Sequence, residues 1–87
     1  MIYKNKITEG IKGLKARIIE LSPGGEMPTC EMLSHVIFYV IKGTTEAKVN
    51  QEKIILKEGQ CLITEPAILS IKTQEGVKMM GIQIKKI

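Results

Sequence analysis

Aromatic side chains are almost missing from this chain. There is no Trp, and Tyr3, Phe38 and Tyr39 are the only phenyl or phenol rings. A surface that binds nucleic acid interleaves rings with basic residues so that bases can stack. The net charge of +4 is therefore read as lysines on solvated strand faces, not as a nucleic-acid platform. Histidine is scarcer still, since His35 stands alone, and no Ser-His-Asp set can be assembled around it. The two cysteines, Cys30 and Cys61, lack Cys-x-x-Cys spacing, which gives neither a zinc knuckle nor a redox pair and predicts free thiols. No apolar run approaches a membrane span. Met1 to Lys6 lack the apolar centre of a signal peptide, so a cytoplasmic protein is expected.

What is present is an ordinary globular balance, 44% hydrophobic and 25% charged, over 87 residues. That length predicts one small domain, 1–87. Turn signals recur about every 8 to 12 residues between short apolar stretches, the pattern of an all-β sandwich or barrel. An edge strand is expected over 2–7, with room for one helical turn over 8–13. In 14–18 the period is two: Leu14, Ala16 and Ile18 face one way, Lys15 and Arg17 the other. Ile18-Ile19 interrupts that alternation, as a bulge or a strand buried on both faces would. Ser22-Pro23-Gly24-Gly25 must turn. Lys42-Gly43 predicts a second turn, with 44–49 as the returning strand. Asn50-Gln51 predicts a hairpin. Strands at 53–57, 61–64, 68–73 and 77–84 complete the chain.

The stretch from Val36 to Ile41 is apolar on both faces. Val36, Phe38 and Val40 share one; Ile37, Tyr39 and Ile41 share the other. A strand of an antiparallel barrel normally turns a polar face to water. Two apolar faces require two dry surroundings, the barrel interior and a second surface. A homodimer through Ile37, Tyr39 and Ile41 is the expected second surface.

Two spaced motifs then point to a family. Counting back from Gly43 places Gly24, Cys30, Met32 and Val36 at the spacing of a glycine, a His-x-His pair and a glutamate. Gly59, Pro66, Ala67 and Ser70 follow the spacing of a later glycine, proline, glycine and histidine, with the proline one place late. The chain resembles the cupin family over roughly residues 14 to 84, which implies a double-stranded β-helix, or jelly-roll barrel. In that family the histidines and the glutamate hold a divalent metal in the barrel mouth. The matching set here is Cys30, Met32, Val36 and Ser70. Valine cannot ligate, and a Cys–Met pair would suit Cu(I) better than iron. Cys30, Met32 and His35 are the remaining weak candidates. Free Cys and Met most often fill cores, and His35, next to Val36 on an extended strand, should point away from the interior. A metal-free epimerase of this fold would need a positioned His and Tyr, but Tyr39 is placed outward. The expectation is a barrel without metal or other cofactor. It is read as a non-catalytic small-molecule binding or sensing module, with Cys30, Met32, Val36, Phe38, Val40 and Ser70 lining the pocket. A divergent metalloenzyme, of dioxygenase or isomerase type, and a purely structural dimer are the alternatives.

Overall fold

The computed structural model describes residues 3–11 and 13–85, with side chains from Gly13 onward. Met1, Ile2, Lys12, Lys86 and Ile87 lie outside the described residues. The elements are β1 (Tyr3–Ile11), β2 (Leu14–Leu21), β3 (Glu26–Met32), β4 (His35–Val49), β5 (Glu52–Lys57), β6 (Cys61–Thr64), β7 (Ala67–Lys72) and β8 (Val77–Ile84). No described residue is helical. The expected turn of helix over 8–13 gives way to strand: Thr8 pairs with Ala16 and Ile11 with Leu14, with an irregularity between them.

One strand makes the architecture. β4 runs without interruption for 15 residues. Its first half pairs with β8 and β6, and its second half with β7 and β5. The strand therefore leaves one sheet, β1-β2-β8-β4-β6, and enters another, β3-β7-β4-β5. Lys42-Gly43 is not the expected reversal. It is the corner between the sheets. Gly43 has φ +92, and a Cβ there would collide with the carbonyl oxygen of Gly76, so no other residue fits. A bulge between Val40 and Lys42 precedes the corner and bends the strand.

The Asn50-Gln51 hairpin forms as expected, with both residues at positive φ, 48 and 74. Asn50 is held in place because its Oδ1 accepts from the Ile68 amide at 3.0 Å. The core lies between the sheets. Ile19, Leu21, Val36, Phe38, Val40, Val77 and Met79 come from the first sheet, and Ala47, Leu56, Leu69 and Ile71 from the second.

Candidate functional site

The inner face of the first sheet can be read row by row from its register. Ile19, Met79 and Val40 form an apolar row across β2, β8 and β4. Arg17, Gly81, Phe38 and Leu62 form the next. Lys15, Gln83, Val36 and Thr64 form the one nearest the barrel end where β2 starts and β8 finishes. A concavity of ≈ 560 Å³ opens at that end, lined by Gly13, Lys15, Leu33, Ser34, Gln83 and Lys85. This is the mouth. Polar groups on the first sheet's inner face concentrate there: Thr64 is buried at 7% exposure, and neither its Oγ1 nor the Nε of Arg17 reaches a hydrogen-bond partner or solvent.

The inward position of Arg17 corrects a reading of the sequence. β2 pairs with β8 in unbroken register from Leu14 to Leu21, so Ile18-Ile19 is not a bulge. The inner face is the one carrying Ile19 and Leu21. Arg17 and Lys15 share it, and the apolar Leu14, Ala16 and Ile18 face outward. Nothing in residues 14–18 alone reveals this. The signal is the parity of Ile19 and Leu21, which overrides the alternation before them.

The expected pocket residues are divided. Val36, Phe38 and Val40 are on the inner face, packed into the core at 1%, 2% and 0% exposure. Cys30 and Met32 lie on β3. They oppose Leu69 and Ala67 and so share the inward face; Met32 is half-buried, and Cys30 is exposed on this edge strand. Ser70 does not belong with them. It pairs with Lys48 on the outer face of the second sheet, and the inward residue opposite Cys30 is Leu69. His35 opposes Ile84 on the outer face of the first sheet. Both cysteines are free.

No family model matches the chain, and no curated protein sequence matches it significantly. Solved structures do match. A cupin superfamily protein from Desulfitobacterium hafniense DCB-2 superposes with a TM-score of 0.91 at 14% identity, covering 98% of this chain and 79% of that one. The fold is the cupin barrel. A cupin 2 conserved barrel domain protein from Salinispora arenicola CNS-205 superposes with a TM-score of 0.83 at 10% identity, over 95% of this chain and 76% of the other. KdgF from Halomonas sp. gives a TM-score of 0.81 at 18% identity, over 97% and 80%.

The four positions that the motif spacing matches to metal ligands do not offer a donor set. Val36 is a buried hydrocarbon, Ser70 is on the outer face with the hydrocarbon Leu69 inward beside it, Cys30 is exposed at the strand edge, and the one imidazole is outside. Among the described residues no three His, Cys, Asp or Glu side chains come together closely enough to hold an ion.

Across β2, β8, β4 and β6 the outer face of the first sheet is apolar. Ala16, Ile82, Ile37 and Ile63 form one row, and Ile18, Met80, Tyr39 and Cys61 the next. Ile63 is 71% exposed and Tyr39 40%. Glu20, Lys78 and Lys42 border this patch on one side. The outer face of the second sheet carries Glu46, Lys48, Lys53 and Lys72 instead, with Lys72 Nζ 3.1 Å from the Glu46 carboxylate.

Proposed function

We propose that this cupin-fold chain is a non-catalytic module that binds or senses a small molecule in the barrel mouth, and that it works as a homodimer. The mouth carries the reading. A concavity of ≈ 560 Å³ is within the range of small-molecule sites, and it meets an inner face where polar groups are left without partners. Cys30 and Met32 flank the interior from β3. Against catalysis stand the outward positions of His35 and Tyr39, which leave no His–Tyr acid–base pair facing a bound molecule among the described residues. A thermal-shift panel of neutral, cationic and anionic metabolites tests the reading. Stabilisation by one chemical class supports it, and no shift from any class would leave the barrel a structural element.

The second copy is the occupant that fits the apolar outer face. Four strands about 4.8 Å apart make the patch roughly 20 Å across, the size of an interface core rather than of scattered surface hydrophobics. Its charged border has both signs, Glu20 beside Lys78 and Lys42, so a two-fold operation can set the acid of one copy against a cation of the other. Tyr39→Lys should convert the dimer to a monomer in light scattering. A wild-type chain that is monomeric at millimolar concentration would sink this part.

A further inference from the structure

The barrel has four edge strands, β1, β3, β5 and β6. An open edge presents unpaired N–H and C=O groups, and proteins guard it with charge, proline or a bulge. β1 carries Lys4, Lys6 and Glu9, and β5 carries Glu52, Lys53 and Lys57. β3 carries Glu26, Pro28 and Glu31, and its ladder is irregular between Met27 and Cys30. β6, Cys61-Leu62-Ile63-Thr64, has none of these devices; only its shortness protects it. Its Ile63 side chain is 71% exposed, and Cys61 is exposed beside it.

The direction of its backbone groups follows from the ladder. β6 pairs with β4 in one register, from Val36 with Thr64 to Tyr39 with Cys61. In that same register the Val40 N–H donates to the Gln60 carbonyl at 2.9 Å. Antiparallel ladders bond at every second residue, so the backbone groups of Leu62 and Thr64 turn to β4. Those of Cys61 and Ile63 turn to the open edge, where no described strand meets them.

This edge is self-complementary. A two-fold axis beside Leu62, perpendicular to the sheet, sets Cys61 opposite the partner's Ile63 and Ile63 opposite the partner's Cys61. Each pair then exchanges both of its N–H···O bonds. On the outer face a small side chain lies against a large one, and no like charges are opposed. The turn at Glu58-Gly59 and the missing N–H of Pro66 close the stretch at its two ends, so it accepts a strand of its own length. The face contact read above turns about an axis lying in the sheet, so the two contacts use different surfaces.

We propose that the free edge of β6 is a second self-association site, at which β6 pairs antiparallel with β6 of another copy and joins two homodimers into a tetramer; it rests on the homodimer reading for the units it joins. The stretch is short, and two monomers share one edge contact. Two dimers share two, and the second forms as an intramolecular step once the first is made.

The experiment combines light scattering with amide-resolved hydrogen exchange on the full chain, from micromolar to millimolar protein. The wild-type mass should rise from dimer toward tetramer. Over the same range the Cys61 and Ile63 amides should slow by about tenfold or more, while those of Leu62 and Thr64, already bonded to β4, stay slow throughout. Ile63→Pro and Ile63→Ala both trim the apolar face, but only proline removes the outward donor, which an edge position tolerates. Ile63→Pro should remain a dimer at every concentration, and Ile63→Ala should still rise. A wild-type dimer that never grows, with Cys61 and Ile63 exchanging at a constant rate, would overturn the edge contact and leave the homodimer standing. Loss of the rise in both variants would show contact through the side chain and overturn the backbone pairing. If Ile63→Pro does not fold, the wild-type exchange decides. A monomeric Ile63→Pro beside a dimeric Tyr39→Lys would support the edge and overturn the face contact. A wild-type monomer at millimolar concentration would overturn both.

Discussion

The two ends of the barrel treat buried threonine differently. At the corner end, Thr45 and Thr73 are 1% and 5% exposed, and both are fully engaged. Thr45 Oγ1 donates to the Lys72 carbonyl at 2.8 Å. Thr73 Oγ1 donates to the Thr44 carbonyl at 2.6 Å and accepts from the Gly76 amide at 3.0 Å. These bonds tie β4 to the β7–β8 turn around Gly43. At the mouth, Thr64 is nearly as buried and its hydroxyl bonds to nothing. One residue type at similar depth is structural at one end and uncommitted at the other. Burial alone does not separate the two roles; the hydrogen-bond census does.

The corner end is the one that should break hardest. Gly43→Ala forces a side chain into a positive-φ position and against the Gly76 carbonyl. Left-handed strain and overpacking add to a cost of about 3 kcal/mol or more. In a domain this small that is a large part of the total stability. Thermal unfolding followed by circular dichroism should show little cooperative transition left. A melt within a few degrees of wild type would mean that the corner can shift aside, and that the closed end is less rigid than its bonds indicate.

The direct comparison is Thr73→Val against Thr64→Val, two substitutions of equal shape. Thr73→Val strands the Gly76 amide and the Thr44 carbonyl and should cost roughly 2 kcal/mol. Thr64→Val removes a hydroxyl with no partner and should be neutral, or stabilising by up to roughly 1 kcal/mol. Chemical denaturation of both variants decides it. Equal destabilisation would show that Thr64 has a partner after all, such as an ordered water, and would remove the contrast between the ends.

Much of this fold can be read from residues. The two-faced apolar run in β4, the Asn50-Gln51 hairpin and the glycine spacing lead to the barrel directly. Where the reading fails, the cause is local ambiguity. Gly43 was expected to reverse the chain because a positive-φ glycine serves a hairpin and a corner equally well; only the pairing partners distinguish them. β3 has few hydrophobics because it is an edge strand with most of its residues exposed. The alternation of Leu14, Ala16 and Ile18 points to a core, yet it faces outward because the sheet has two apolar sides. That inversion hid Arg17. Ser70 was placed by motif spacing, although its neighbours Leu69 and Ile71 already occupy the inward register.

The smallest expected effect concerns charge. Glu46 stands on the outer face, where the hydrogen bond from Lys72 holds its carboxyl below the usual carboxylate range, with Lys53 and Lys48 adding attraction. The lowered value fixes the sign. The unfolded chain takes up the proton first as pH falls, so the stabilisation is fully present above the ordinary carboxylate range and is lost as pH drops through the range below it. The pair is open to solvent, so screening keeps its contribution small and salt-sensitive. Glu46→Gln should lower the melting temperature slightly at neutral pH, and the difference should vanish in strong acid and shrink in molar salt. A difference that persists unchanged under both conditions would show that Glu46 acts through packing.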